Sequence, residues 1–203
     1  MDMESRKEVQ LVYSSALKEM EIRLEILNDE FQHVHQYNPI EHIKARIKTA
    51  ESIEKKLRKH GYEPTVENMV KHVNDIAGIR IICSFTTDVY RIAQMLERHR
   101  DLDIIYVKDY IKKPKRSGYK SYHMLVSIPV YLSEKKVEAK VEIQIRTVAM
   151  DFWASLEHKI NYKFAANVPS YIKEELSECA KMVSELDAKM LSLNEEVKAL
   201  ELE

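Results

Sequence analysis

Two carboxylates stand where chemistry could be done. Asp75 directly precedes a short β-branched run, and Glu142 lies on the polar side of an alternating run. If the two runs form neighbouring strands, both carboxylates converge at one end of a sheet among basic residues. Magnesium favours such a place, because it binds through one or two carboxylates and leaves room for water and phosphate oxygens. By spacing alone, a solvated Asp and a surface Glu are the commoner case. A second candidate is the segment Lys112-Lys113-Pro114-Lys115-Arg116-Ser117-Gly118-Tyr119-Lys120-Ser121-Tyr122-His123. It joins cations suited to phosphate, a glycine for close approach and aromatic rings that could stack on a base. A charged hairpin loop with a structural Tyr would look the same.

Other chemistries lack their residues. There is no GxxxxGK[ST] phosphate loop and no GxGxxG fingerprint. The eight histidines do not fall at metal-ligand spacings, and Glu157-His158 lacks the first His of HExxH. Cys83 and Cys179 form no CxxC pair, and both read as core residues in a reducing compartment. The formal net charge is only −1, yet basic residues cluster between Lys44 and Lys59 and again between Lys108 and Lys120. Two local cationic patches in a neutral chain suit a compact polyanion such as a nucleotide better than a long nucleic acid. The start, MDMESRKEV, has no apolar core of a signal peptide, so a cytoplasmic protein is expected.

The elements that must position these residues follow from periodicity. Tyr13, Leu17, Met20, Leu24, Leu27, Phe31 and Val34 form one stripe on a long helix ending before Asn38-Pro39. A second helix is predicted over 40–60 with Gly61 closing it, and a short one over 66–73. Strands are predicted over 79–85, 103–107, 123–130 and 137–146, with a helix over 87–98. The last strand is the clearest. Val137, Ala139, Val141, Ile143 and Ile145 face one way, so Glu142, Gln144 and Arg146 present an acid, an amide and a guanidinium in a row on the other. Helices are expected over 147–162 and from Val168-Pro169 onward. In the final helix Leu176, Val183, Met190 and Val197 are seven apart, as are Cys179, Leu186, Leu193 and Leu200. That heptad seam suits either a paired helix within the chain or an oligomer interface.

Three segments occur in a telling order: Asn74-Asp75-Ile76-Ala77-Gly78-Ile79-Arg80, Ser117 to His123, and Val141-Glu142-Ile143-Gln144-Ile145-Arg146-Thr147. Together with Ala149 to Ala154, Glu157-His158 and Asn161-Tyr162-Lys163, they closely resemble the synthetase domain of the RelA/SpoT family. The chain looks like the free-standing small alarmone synthetases, particularly the RelQ-type ones. The resemblance implies an α+β fold, a nucleotidyltransferase-like mixed β-sheet flanked by helices, with long N- and C-terminal helices. It also divides the chain into an N-terminal helical segment (1–39), a (p)ppGpp synthetase catalytic domain (40–165) and a C-terminal helix (166–203).

The implied activity is that of a GTP pyrophosphokinase with Mg²⁺, passing the β,γ-pyrophosphate of ATP to the 3′-OH of GDP or GTP. By the same resemblance Arg46 and Arg80 sandwich adenine, and Lys48, Ser52, Lys56 and Lys59 lie near the ATP phosphates. Asp75 holds the metal. Glu142 assists it or takes the 3′-OH proton. Tyr119 stacks on guanine, Lys108, Lys115 and His123 serve the GDP/GTP side, and Gln144 supports the site. A homotetramer is implied, with pppGpp or single-stranded RNA as regulatory partners. His42 and Asp151 stand where the family pattern has an aromatic and an amide, and an added carboxylate repels a polyphosphate. The 203 residues leave no room for hydrolase domains, and no His-Asp dipeptide occurs, so synthesis without hydrolysis is expected. Competing readings are a non-catalytic RNA- or nucleotide-binding module and a purely structural helical oligomer. The paired carboxylates favour the enzyme.

Overall fold

A computed structural model describes residues 3–163 and 168–200. The expected boundary between residues 165 and 166 lies outside them. The chain runs α1 (Met3–His33), β1 (Ile40–Ile47), α2 (Ala50–Lys59), α3 (Val66–His72), β2 (Ala77–Cys83), α4 (Thr86–Glu97) and β3 (Asp103–Asp109). It continues through β4 (Tyr122–Tyr131), β5 (Lys136–Thr147), α5 (Val148–Lys163) and α6 (Ser170–Leu200). The five strands form one mixed sheet in the order β1-β2-β5-β4-β3. Only the central pair, β2 and β5, is parallel. This is the expected α+β architecture with long helices at both ends.

Hydrophobic burial fixes one side of the sheet. The α1 stripe of Tyr13, Leu17, Met20, Leu24 and Phe31 is buried in one cluster with Ile79, Ile81, Met124, Val141, Ile143 and Ile145. Val89, Ile92, Ala93 and Leu96 of α4 join the same cluster. Val34, the last member of the stripe as read from sequence, lies past the helix end and is exposed. The opposite sheet face is left polar. Near one end it is bounded by α5 and α6, which close a smaller cluster of Trp153, Ala154 and Ala180 with Tyr119, Leu176 and Val183 against it. Trp153 Nε1 donates to the Leu176 carbonyl at 2.9 Å, tying the two helices together.

One element departs from the sequence reading. Residues 40–60 do not form a single helix. Residues 40–47 are a strand, and the helix begins only at Ala50. Ile40, Ile43 and Ile47 sit at i, i+3 and i+7, a helical spacing. The same segment also alternates, with Ile43, Ala45 and Ile47 half-buried while His42, Lys44 and Arg46 are exposed. Pairing with β2 selects the second pattern, and it places Lys44 and Arg46 on the polar face. Thr49 then starts α2, its side chain accepting from the Ser52 N–H. At the far end His60 is the cap, with Gly61 just beyond it at φ 78°. Cys83 is buried as expected, whereas Cys179 of the heptad seam is exposed.

Candidate active site

The register turns scattered polar residues into rows. Lys44, Arg80, Gln144, His123 and Lys108 are successive cross-strand partners over all five strands. The adjacent row is Arg46, Gly78, Glu142, Leu125 and Tyr106. Because side chains alternate along each strand, both rows lie on the face opposite the α1 core. Gly78 leaves a gap between Arg46 and Glu142. A cleft of about 330 Å³ opens there, lined by Lys44, Arg46, Asp75, Gly78, Arg80, Glu142 and Gln144 among others. Asp75, in the turn before β2, and Glu142, in the middle of β5, therefore share one cavity.

Asp75 is held by two ammonium groups, with Lys48 Nζ at 2.9 Å from one oxygen and Lys56 Nζ at 2.8 Å from the other. Burial alone would raise its pKa, but hydrogen bonds from Lys56 and Lys48 outweigh it and hold the carboxyl below its usual range. Glu142 shows the same balance. Burial and the nearby Asp75 charge push its pKa up, while the His123 ring and the Gln144 amide pull harder, so the net shift is downward. His123 Nδ1 lies 3.7 Å from Glu142 Oε1, an electrostatic contact longer than a hydrogen bond. Both acids are ionised at neutral pH. Among the described residues no group of three or more acidic, His or Cys side chains forms a metal cage. Two hard oxygen donors in an open cleft fit Mg²⁺, which completes its shell with water and phosphate.

A buried hydrogen-bond network orients the other end. Arg146, 4% exposed, donates from Nη2 to Gln144 Oε1 at 2.9 Å and to the Tyr119 hydroxyl at 2.6 Å. Its Nη1 donates to Asp151 at 3.1 Å and its Nε to Ser121 at 3.3 Å. Gln144 Nε2 in turn donates to Glu142 at 2.8 Å, which fixes the amide's orientation. The Tyr119 hydroxyl, which accepts from Arg146, also lies 2.8 Å from His123 Nε2, and the ring's tautomer sets which of the two donates. Lys115 lies over the Tyr119 ring at 4.6 Å and Arg146 over it at 5.1 Å. Tyr110 packs edge-on against both Tyr119 and His123.

Most of the residues singled out from sequence are thus brought together: Arg46, Arg80, Asp75, Glu142 and Gln144 in the cleft, Lys48 and Lys56 on Asp75, and Tyr119, His123 and Lys115 beside them. Ser52 and Lys59 are exposed on α2 and do not line the cleft. Lys108 is in the five-strand row but exposed at the edge strand, over the Tyr106 ring at 4.7 Å. Gly118 approaches protein rather than ligand. Its φ is 87°, and a Cβ there would overlap the Ala180 methyl on α6. Three residues had no role in the sequence reading. Arg146 was visible only as the third polar residue in the β5 row. Asp151 was visible only as a departure from a pattern, and Tyr110 carried no signal.

Cations and carboxylates on an open sheet face, with an orienting aromatic network at one end, define a protein shaped to hold nucleotide polyphosphates. The chain belongs to the RelA/SpoT family, since residues 45–167 match the region found in RelA / SpoT proteins. It is 48% identical over 195 residues to the GTP pyrophosphokinase YwaC of Bacillus subtilis (strain 168), covering 96% of this chain and 93% of that protein. The fold superposes on the crystal structure of small alarmone synthetase 2 from Bacillus subtilis with a TM-score of 0.85 and 46% identity, covering 94% of this chain and 98% of that one. Small alarmone synthetase 1 from the same organism, bound to its product pppGpp, matches with a TM-score of 0.88 at 34% identity, covering 94% and 97%.

Proposed function

We infer that this chain is a GTP pyrophosphokinase, transferring the β,γ-pyrophosphate of ATP to the ribose 3′-OH of GDP or GTP. The 3′ oxygen forms a bond to the β-phosphorus, and the bond from that phosphorus to the oxygen bridging to the α-phosphate breaks. AMP leaves, and ppGpp or pppGpp remains. The observation that carries this reading is the shared cleft of Asp75 and Glu142, with the Arg46–Arg80 pair on one side and the Tyr119–His123 pair on the other.

In this reading ATP occupies the β1–β2–α2 side. Arg46 and Arg80 flank the adenine, and Lys48 and Lys56 pass from Asp75 to the phosphates, joined by Lys59 and Ser52 from the same helix. Asp75 and Glu142 would hold Mg²⁺, which when bound neutralises phosphate charge at the transferring group. Glu142, ionised and fixed by Gln144, is also placed to accept the 3′-OH proton. The acceptor base lies against Tyr119, displacing Lys115 from the ring toward phosphate, while His123 and Lys108 complete the acceptor side. Positioning and charge supply most of the catalysis in such transfers, so a site built from fixed cations and two acids is sufficient.

No described helix is long and apolar enough to cross a membrane, in keeping with work in the cytosol. Met182, Leu186, Met190, Leu193 and Val197 leave an exposed apolar row on α6. That row supports a C-terminal helix that packs against other copies in a homotetramer. The decisive assay is incubation with ATP, GDP and Mg²⁺, followed by separation of nucleotides. A 3′-pyrophosphorylated guanosine and stoichiometric AMP are expected. ATP consumption that yields only ADP, or no consumption at all, would overturn the assignment.

A further inference from the structure

The two ends of the site are joined by one oxygen. Asp151 Oδ1, in the first turn of α5, lies 3.1 Å from Arg80 Nη1 and 3.1 Å from Arg146 Nη1. Arg80 lines the cleft beside Arg46. Arg146 carries Gln144 and the Tyr119 hydroxyl. Among the described residues Asp151 is the one anion paired with Arg80, whose Nε is buried without a partner. Burial and the Arg146 charge both work against the Arg80 cation, Asp151 works for it, and Arg46 again works against it. Without the carboxylate, three guanidiniums would face one another in a partly buried space, where like charges repel more strongly than in water.

We propose that Asp151 is a positioning residue that couples the two nucleotide subsites, holding Arg80 and the Arg146–Tyr119 pair in a single arrangement so that filling either subsite favours the other. The reason is shared ordering. A nucleotide that immobilises Arg80 also fixes Asp151, and through it Arg146 and Tyr119. The second nucleotide then meets a surface already ordered and loses less freedom on binding. Coupling of this kind is reciprocal, so each ligand must tighten the other by the same factor. The assignment of donor to the Arg80 side and acceptor to the Tyr119 side rests on the pyrophosphokinase reading.

The test is calorimetric and needs no turnover. A non-hydrolysable ATP analogue is titrated into the protein with and without saturating GDP, and GDP with and without the analogue. In the unaltered protein each Kd should fall about fivefold or more when the other ligand is present. In Asp151→Asn, which keeps the shape but not the charge, that factor should drop to about one. Asp151→Glu restores the charge one methylene further out and should recover part of it. A purely structural Asp151 would lower the melting temperature and leave the coupling factor intact, and that result overturns the proposal. Should Asp151→Asn not fold, Asp151→Glu decides, with a reduced factor supporting the bridge and an unchanged one overturning it. If the unaltered protein binds both nucleotides independently, the coupling alone falls. If it binds neither, the pyrophosphokinase reading falls as well.

Discussion

The β1–β2–α2 side and the β4–β5–α5 side of the cleft are built on different principles. On the β1–β2–α2 side, Lys44 and Arg46 project from an exposed strand, and Lys48 and Lys56 reach Asp75 on long flexible stems. Coulomb attraction organises that side, and its side chains can exchange a carboxylate for a phosphate with little rearrangement of the backbone. On the β4–β5–α5 side, Arg146 is buried and spends its donors on four fixed partners, and Gly118 is pressed against Ala180 of α6. Hydrogen bonds and packing organise that side in advance. Losses on the first side should therefore appear in binding, and losses on the second in folding as well.

Three substitutions press on that contrast. Glu142→Gln sits where the two sides meet, and turnover should fall by about 10²–10⁴-fold, the range for loss of a catalytic acid–base group. Its melting curve should barely move, because an amide of the same shape still fits beside Gln144. Retained turnover would strip Glu142 of its role. Next, Arg146→Met removes the hydrogen bonds to Gln144, Tyr119, Ser121 and Asp151, leaving Asp151 with Arg80 alone, and should cost about 3 kcal/mol in chemical denaturation. Its counterpart Lys56→Met removes a partly exposed ammonium and should cost about 1 kcal/mol or less while raising the ATP KM. Equal stability losses in the two would erase the contrast.

A matched glycine pair comes next in size. Gly118→Ala meets both a left-handed backbone and the Ala180 methyl, so about 2 kcal/mol or more of stability should be lost. Gly78→Ala meets only the Glu142 carbonyl at 3.9 Å, an ordinary contact. Its methyl enters the cleft, so the melting temperature should hold while ATP binding weakens. The smallest effect concerns acid dependence. Asp75 and Glu142 have pKa values held below ordinary, so their contribution is present above about pH 4 and is lost as pH falls through their folded values. Asp187 behaves oppositely. Burial raises its pKa despite the Thr147 hydroxyl, which donates to it at 2.8 Å. Its contribution is present at low pH and lost as pH rises. Asp187→Asn should consequently raise the melting temperature slightly at pH 7, and the gain should vanish near pH 3–4; a loss at pH 7 would contradict the burial argument.

Local pattern carried much of this. The apolar stripe from Tyr13 to Phe31 reads as a helix laid on a core, and the strict alternation from Val137 to Arg146 reads as a strand with one dry face. Those two periodicities settled α1 and β5, and with them the fact that Glu142, Gln144 and Arg146 share a polar surface. Segment order was distinctive enough to point to a family. What periodicity could not settle was residues 40–47, where Ile40, Ile43 and Ile47 fit a helix while Ile43, Ala45 and Ile47 fit a strand. Only an available edge on β2 decides between them, because a strand needs a partner for its backbone N–H and C=O groups and a helix does not. Likewise no spacing along the chain aligns Lys44, Arg80, Gln144, His123 and Lys108, or sets Asp151 between two guanidiniums. Cross-strand register and the docking of α5 and α6 fix those contacts, and they join residues up to 71 positions apart in sequence, as Asp151 and Arg80 are.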